Sequence, residues 1–455
     1  MVLVVNMIPK SLSGESNQDS EPNLAVNPAN PREIAASAFT PDPMGGPNAP
    51  IYVSTDGGKT WLLHSIVPSS PGSPIGTFDI TLRCSGKGKD LYAGIIRDPT
   101  FDLNVLRTRN FLNSTVMTVL VDRPNVDQPF VQATAVRGKD HVYVGNNDFN
   151  ALNGQTATID RSLNAASTPP AGFSSIRIET RNTSGQDGPS IRPAIHRDGT
   201  IYASFFGWRA FNGSEATADV VVVRDDHWGK EPTPFSALKD PLDHKAGVRV
   251  IQNTTIPWFF PLLGQERIGS DLTITVNPRK GHSSKVYIAW ADRPLGTPDY
   301  TLHVRSSIDR GLTWSNDLRT ISNGKNPSLA INSNGKVGFL YQQLIFTGSG
   351  PRWVTHLELT ADHFATTKDI VLANVPADTP PPAFYPYLGD YIHLMAVNKD
   401  FYGIFSANNT PDKVNFPQGV IYHRKANFAT HTLLALDGIT PVPVSIDPFF
   451  FKVKG

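Results

Sequence analysis

The chain has a single cysteine, Cys84. It can therefore form no internal disulfide and no zinc cluster built from several thiolates. Cys84 ends the alternating run Asp79-Ile-Thr-Leu-Arg-Cys84, which reads as a half-buried strand whose thiol is an inert small hydrophobe rather than a nucleophile. An excess of charge of one sign is missing as well. The 455 residues hold 41 Lys and Arg against 40 Asp and Glu, a formal +1, with no basic or acidic block. Phosphate backbones are bound by clustered cations, so nucleic acid is not an expected partner. No run approaches the ~18–20 apolar residues that span a bilayer, and no membrane partner is expected. The start, Met1-Val-Leu-Val-Val-Asn-Met-Ile8, lacks a basic flank and a long apolar stretch, so it reads as a strand rather than a signal peptide. There is no Gly-x-Ser-x-Gly elbow, no Walker loop and no dinucleotide fingerprint, which argues against a serine triad, ATP use and nicotinamide chemistry. His196, His303 and His393 occur singly on strands, without metal-ligand spacing.

What is present is a repeat. Seven times a polar residue opens a short apolar strand, a turn follows, and a second strand rich in Tyr, Val and Ala comes next. The first strands begin at Glu21-Pro-Asn-Leu, Phe78-Asp-Ile-Thr, Gln128-Pro-Phe-Val, Ser190-Ile-Arg-Pro, Asp271-Leu-Thr-Ile, Asn326-Pro-Ser-Leu and Asp390-Tyr-Ile-His. Asp198-Gly199 and Asn334-Gly335 are hairpin turns between first and second strands. Each unit runs on through a polar loop into two more strands, as in Ile51-Tyr-Val-Ser54 and Trp61-Leu-Leu-His64. Four strands per unit, at a period somewhat above the ~40–50 residues of known blade repeats, predicts radially arranged sheets. No sustained 3.6-residue apolar stripe appears, so helices should be few. We expect an all-β fold: a single seven-bladed β-propeller of four-stranded antiparallel blades over 1–455, with six blades as the alternative count. The unit around 186–265 is swollen by insertions. A terminal strand at about 1–10 or 445–455 should pack onto a neighbouring blade and close the ring, because an open radial sheet leaves an edge exposed.

Two segments share a spaced motif, Ser54-Thr-Asp56-Gly-Gly58-Lys-Thr60-Trp61 and Ser307-Ile-Asp309-Arg-Gly311-Leu-Thr313-Trp314. It reads as a self-capped hairpin: the Asp carboxylate accepts backbone N–H bonds, Gly takes positive φ, and Trp packs between blades. At these residues, and at Glu21-Pro-Asn-Leu-Ala-Val-Asn-Pro-Ala-Asn-Pro31 and Leu388-Gly-Asp390-Tyr391, the chain resembles the Asp-box (BNR repeat) propellers of the sialidase superfamily. The resemblance implies boxes on the face opposite the active site. It also implies a carbohydrate-active protein, either a glycoside hydrolase or lyase or a lectin-like or protein-interaction propeller. Family members that cleave sialic acid carry an Arg-Ile-Pro phrase, an arginine triad for the substrate carboxylate and a Tyr nucleophile partnered by Glu. Here Arg192-Pro193 is the comparable phrase and lies in the fourth unit.

Propeller geometry points to the leading residues of the first strands, which face the mouth of the central channel. Glu21, Asp79, Asp127, Arg192, Asp271, Asn326 and Asp390 form that ring, and five of them are carboxylates. Crowded carboxylates raise one another's pKa, so one can stay protonated as a general acid while another serves as base. Glycoside cleavage needs that division of roles. The expected catalytic groups are Asp79, Asp127, Asp271, Asp390 and Tyr391. The expected substrate contacts are Glu21, Arg192, Trp208, Arg209, Arg267 and Arg293, cations and a flat ring suited to an acidic sugar. The bland alternative for the ring is capping of neighbouring strands. A calcium ion held by channel oxygens is a further possibility; otherwise no cofactor is expected. The expected partner is a glycan or other small molecule bound to a monomer.

Overall fold

The computed structural model describes residues 2–39, 51–64, 66–67, 77–88, 90–97, 100, 102–114, 116–150, 154–258, 271–293, 300–381 and 387–455. A 3-10 turn lies at Lys10–Leu12, and strands form seven four-stranded antiparallel sheets plus one small three-stranded sheet. Blades 1 to 6 take their four strands consecutively from the chain. Their inner strands are Ser20–Val26, Thr77–Cys84, Val126–Val136, Arg192–Ile195, Leu272–Val276 and Gly324–Ile331. Blade 7 is built from His393–Val397, Asp400–Asn408, Ile446–Val453 and, outermost, Val2–Asn6. Each inner strand touches the next, and that of blade 7 touches that of blade 1. The seven sheets therefore form a closed ring, a seven-bladed propeller.

Both faces of each blade pack on neighbours, so central strands read as continuous apolar runs rather than alternating ones. Val220-Val-Val-Val223 in the third strand of blade 4 is wholly buried, each side chain worth ~1.5–3 kcal/mol of transfer free energy. Cys84 lies in the apolar layer between blades 1 and 2, and burial pushes its thiol up to about 12, which keeps it inert at neutral pH.

The inner strands face a shared problem: N–H groups at the inner edge of a blade have no fifth strand to bond. At five of the seven seams a side chain supplies the acceptor. Asn23 Oδ1 accepts from Leu82 N–H (2.9 Å) and Thr81 Oγ1 from Val131 N–H (3.1 Å). Thr273 Oγ1 accepts from Leu329 N–H (3.3 Å), Ser328 Oγ from Leu394 N–H (2.9 Å) and His393 Nδ1 from Leu24 N–H (3.2 Å). The polar residue is the one just ahead of an inward apolar position each time, so one sequence habit stitches blade to blade around the ring.

The spaced motif forms the expected turns between third and fourth strands. Asp56 Oδ1 accepts from Lys59 and Thr60 N–H (both 3.0 Å), Thr60 Oγ1 donates to Oδ2 (2.8 Å), and Trp61 Nε1 donates to Gly58 O (3.0 Å). Gly58 has φ +87°, and a Cβ there would collide with the Phe450 ring of blade 7, so glycine is required on both counts. Asp309 is held in the same way by Thr313. A third such turn escaped the sequence reading. Asp362 accepts from Thr360 Oγ1 (2.8 Å), Thr366 N–H (3.0 Å) and Thr366 Oγ1 (2.6 Å), with Phe364 at φ 67° where the others have Gly. The extra length of blade 4 is the loop 226–247 between its third and fourth strands. A second insertion, 409–445 in blade 7, carries the three-stranded sheet Lys425–Asn427, Thr432–Leu434 and Pro441–Val442.

Candidate active site at the head of the central channel

Antiparallel blades put the starts of the inner strands at one end of the ring and the Asp-centred turns at the other. At the inner-strand end the backbone is strained in a regular way. Glu21, Gln128 and Asn326 have φ of 51°, 53° and 52°, and each precedes a proline. The ladder slips at those places, between Ser20 and Asn23, Asp127 and Phe130, and Lys325 and Ser328. Such bulges re-aim a side chain at the end of a sheet, and strained backbone of this kind persists only where its surroundings enforce it.

The re-aimed and leading side chains converge. Tyr391, just ahead of the blade 7 inner strand, donates its hydroxyl to Asp79 Oδ1 of blade 2 (3.0 Å). Arg192 of blade 4 pairs with Asp271 Oδ1 at the head of blade 5 through Nε (3.1 Å) and Nη2 (3.0 Å), and donates from Nη1 to Ser190 Oγ. Its guanidinium lies 4.7 Å from the Phe130 ring centroid and 5.9 Å from that of Tyr391. Glu21 Oε1 accepts from Asp390 N–H (3.2 Å). Gln128 Oε1 accepts from Ser190 N–H (3.0 Å) and Asn147 Nδ2 (3.2 Å). Asn326 Nδ2 donates to Gln342 Oε1 (3.1 Å) and Gly389 O (3.3 Å). Beyond the cluster the channel holds a cavity of about 280 Å³, whose lining includes the polar side chains of Arg83, Gln132, Arg192, Asp271 and His393.

Burial controls the protonation of these groups. The Asp271 carboxyl is pushed up to about 6, burial first, with Arg192 opposing and Asp390 adding to the rise. The Tyr391 phenol is held well above its ordinary value by burial, then by the Asp79 and Glu21 charges, with Arg192 pulling the other way. His393 is pushed down to about 3 by burial and by Arg83 and Arg192, so it is neutral, with Nδ1 engaged at the blade 7 to blade 1 seam. A phenol of this kind transfers its proton only to a base already in contact with it, and Asp79 is in that position.

The sequence reading thus places Asp79, Asp271, Asp390, Tyr391, Glu21 and Arg192 at one end of the channel, and the structure brings them together. Asp127 stands one residue aside: its Oδ1 accepts from Gln128 N–H (2.8 Å), and the bulge turns Gln128 toward Arg192 and Tyr391 in its place. Trp208 and Arg209 lie on blade 4 away from the cluster. Trp208 donates Nε1 to Gly188 O (3.1 Å) and packs on Phe211 and Trp258. Arg209 is consumed by Asp219 (2.8 Å), Glu179 (2.8 Å) and Asn182 O (3.0 Å), which leaves no free face for a substrate. Arg293 is paired with Glu215 of blade 4. Arg267 lies outside the described residues. Sequence reasoning missed Gln128, whose signal was its place before Pro129, matching Glu21 before Pro22, and Phe130, which packs under Arg192.

No protein-family model and no curated protein matches this sequence. Among solved structures the chain is similar to a polysaccharide lyase of family PL25, an ulvan lyase, with a TM-score of 0.50 at 8% identity over 88% of this chain and 93% of that one. It is also similar to the GH93 α-L-arabinofuranosidase of Fusarium graminearum (TM-score 0.45, 12% identity, 99% and 97% covered) and to the endosialidase of phage phi92 (0.44, 10%, 100% and 69%). At these identities the likeness is one of fold.

Proposed function

We propose that this propeller cleaves an acidic glycan, as a hydrolase or lyase, at the head of its central channel. The observation that carries the reading is the contact of Tyr391 with Asp79 beside the Arg192–Asp271 pair, four chemically complementary groups drawn from four blades. Asp79 takes the phenolic proton as the Tyr391 oxygen bonds to the anomeric carbon and the glycosidic C–O bond breaks, water later displacing the tyrosine, and the nearby guanidinium favours the developing phenolate. Asp271, protonated below about pH 6, is the proton donor to the leaving oxygen. Its protonation also loosens its hold on Arg192, which is then able to pair with the substrate's carboxylate. The ulvan lyase of like fold is bound to -[GlcA(1-4)Rha3S]-, whose uronate has the charge that an arginine such as Arg192 would pair with.

Incubation with uronate- and sialate-containing polysaccharides, followed by assay of new reducing ends and of unsaturated-uronate absorbance, tests the reading. Tyr391→Phe should lower kcat by roughly 10²–10⁴-fold with its circular dichroism unchanged. The rate should fall as pH rises through about 6, where Asp271 loses its proton. Full activity in Tyr391→Phe would remove the proposed chemistry. A second reading, a carbohydrate-binding propeller without turnover, rests on the Arg192–Asp271 ion pair: while that pair stays closed Asp271 is ionised and has no proton to donate. Saturable glycan binding with no product would decide for it.

A further inference from the structure

Away from the channel, one group of side chains is chemically unfinished. Glu15 lies between the outer strand of blade 7 and the inner strand of blade 1, Asp19 directly precedes that inner strand, and Asp447 belongs to the third strand of blade 7. Their carboxylate oxygens lie within 4.8 Å of one another, and none of the three residues is more than 1% exposed. Asp447 is firmly anchored. Asn409 Nδ2 (3.0 Å) and Ser445 Oγ (2.7 Å) donate to Oδ1, and Asn6 Nδ2 (2.7 Å) and the Arg424 guanidinium donate to Oδ2. Arg424 is itself buried, and its other arm donates to Glu15 O (3.0 Å). Glu15 Oε1 accepts from Asn17 N–H, but Glu15 Oε2 is buried and receives no donor from the described residues. A buried carboxylate oxygen against a second carboxylate, without a donor, calls for a positive charge between them.

We propose that Glu15, Asp19 and Asp447 hold a structural divalent cation of the calcium type, which locks the seam between the last blade and the first. Glu15 and Asp19 are the primary ligands, and Asp447, whose two oxygens each already accept two donors, faces the ion from blade 7 chiefly as a fixed negative charge. The donor set is all hard oxygen, which suits calcium or magnesium and not the softer transition metals. Oxygens at ~2.3–2.6 Å from a calcium ion lie up to ~5 Å apart across it, and the observed span fits within that. Three carboxylates and Arg424 leave two negative charges, the charge of one such ion. Gln18 Oε1 and Ser20 Oγ, on either side of Asp19, are also buried without a partner among the described residues. Burial, and next the Asp447 charge, push the Glu15 carboxyl up to about 8, with Arg424 pulling the other way. Ion binding would pin the segment between Asn6 and Ser20, the piece of chain that passes from the closing strand into blade 1.

This inference is independent of any glycan activity. The test uses the full chain stripped with EDTA and desalted, then titrated with CaCl2 and, separately, with MgCl2. The expected result is calcium binding that saturates at one ion per chain, with a thermal midpoint several degrees higher at saturation. Glu15→Gln and Asp19→Asn should each weaken calcium binding by at least about tenfold. Should either variant fold poorly, the unsubstituted chain still decides. An identical midpoint with EDTA and with millimolar CaCl2 or MgCl2, and no binding heat from either, would overturn the proposal and leave the cluster neutralised by a proton.

Discussion

At the scale of single residues, the head of the channel shows how backbone and chemistry are traded. Glu21, Gln128 and Asn326 accept a left-handed conformation in front of a proline, a cost of order 1–3 kcal/mol each, and in return their side chains turn out of the ladder. That explains why the ring of polar leaders was legible in the sequence while one member was misplaced. Asp127 has the expected charge, but the bulge that would favour Gln128 is a property of the residue before proline, not of charge. His393 makes the opposite trade, because its place in a seam requires it to be neutral. Its native pKa, about 3, lies below the unfolded value of 6.5. Its contribution is therefore complete above about pH 6.5 and is lost as pH falls from there toward 3, at about 1.4 kcal/mol per pH unit. Between pH 6.5 and 4.5 the chain should lose about 2–3 kcal/mol through this residue alone. Urea unfolding of His393→Gln across that range should show a shallower acid dependence by that amount. Equal slopes for the two proteins would show that His393 is not held neutral.

At the scale of the blade element, stability depends on edges. The Asp-centred turns were readable because the Asp-to-Thr spacing and its Gly and Trp companions occur together at Asp56 and Asp309. The turn at Asp362 keeps the Thr-x-Asp-x-x-x-Thr spacing but has Phe364 in place of Gly, and Trp is absent, so the pattern lost its most visible letters while the hydrogen bonds survived. The seam acceptors were harder to see. Asn23, Thr81, Thr273, Ser328 and His393 share a position but no chemistry beyond a lone pair, and only the pairing of neighbouring blades reveals their common task. Thr81 makes the point testable, since its Oγ1 accepts from Val131 N–H and donates to Pro129 O (3.0 Å), all three residues being buried. Thr81→Val keeps shape and removes both bonds. It leaves a buried N–H without an acceptor, which should cost about 1–3 kcal/mol in urea or thermal unfolding. A change below a few tenths of a kcal/mol would mean that the inner edges are satisfied in some other way.

At the scale of the whole molecule, the repeat announced the ring and the number of its blades, because seven strand pairs recur in register over most of the chain. The small sheet within 409–445 was not foreseen: its strands are two or three residues long and carry no repeat of their own. Closure joins segments that lie far apart in the sequence. Val2–Asn6 pairs with Ile446–Val453 from Val2 opposite Val453 to Asn6 opposite Phe449, so blade 7 is assembled from both ends of the sequence. Removing residues 2–6 would strip the outer edge of that blade, withdraw the buried Val4 and Val5 from the core and take Asn6 from Asp447. Two buried valines at ~1.5–3 kcal/mol each, together with the lost ladder and a buried acceptor, amount to a large part of the ~5–15 kcal/mol net stability usual for a folded protein. A loss of that size at one seam should not stay local, since each blade buries both faces on its neighbours and blade 1 would lose its support next. The truncated chain should therefore show a sharply lower urea midpoint and a larger hydrodynamic radius at neutral pH, and a synthetic peptide spanning Val2–Ile8 should restore both in trans. If the truncated chain unfolds at the same urea concentration as the intact one, the strand is an ornament of blade 7 and the ring is held shut by its inner seams alone.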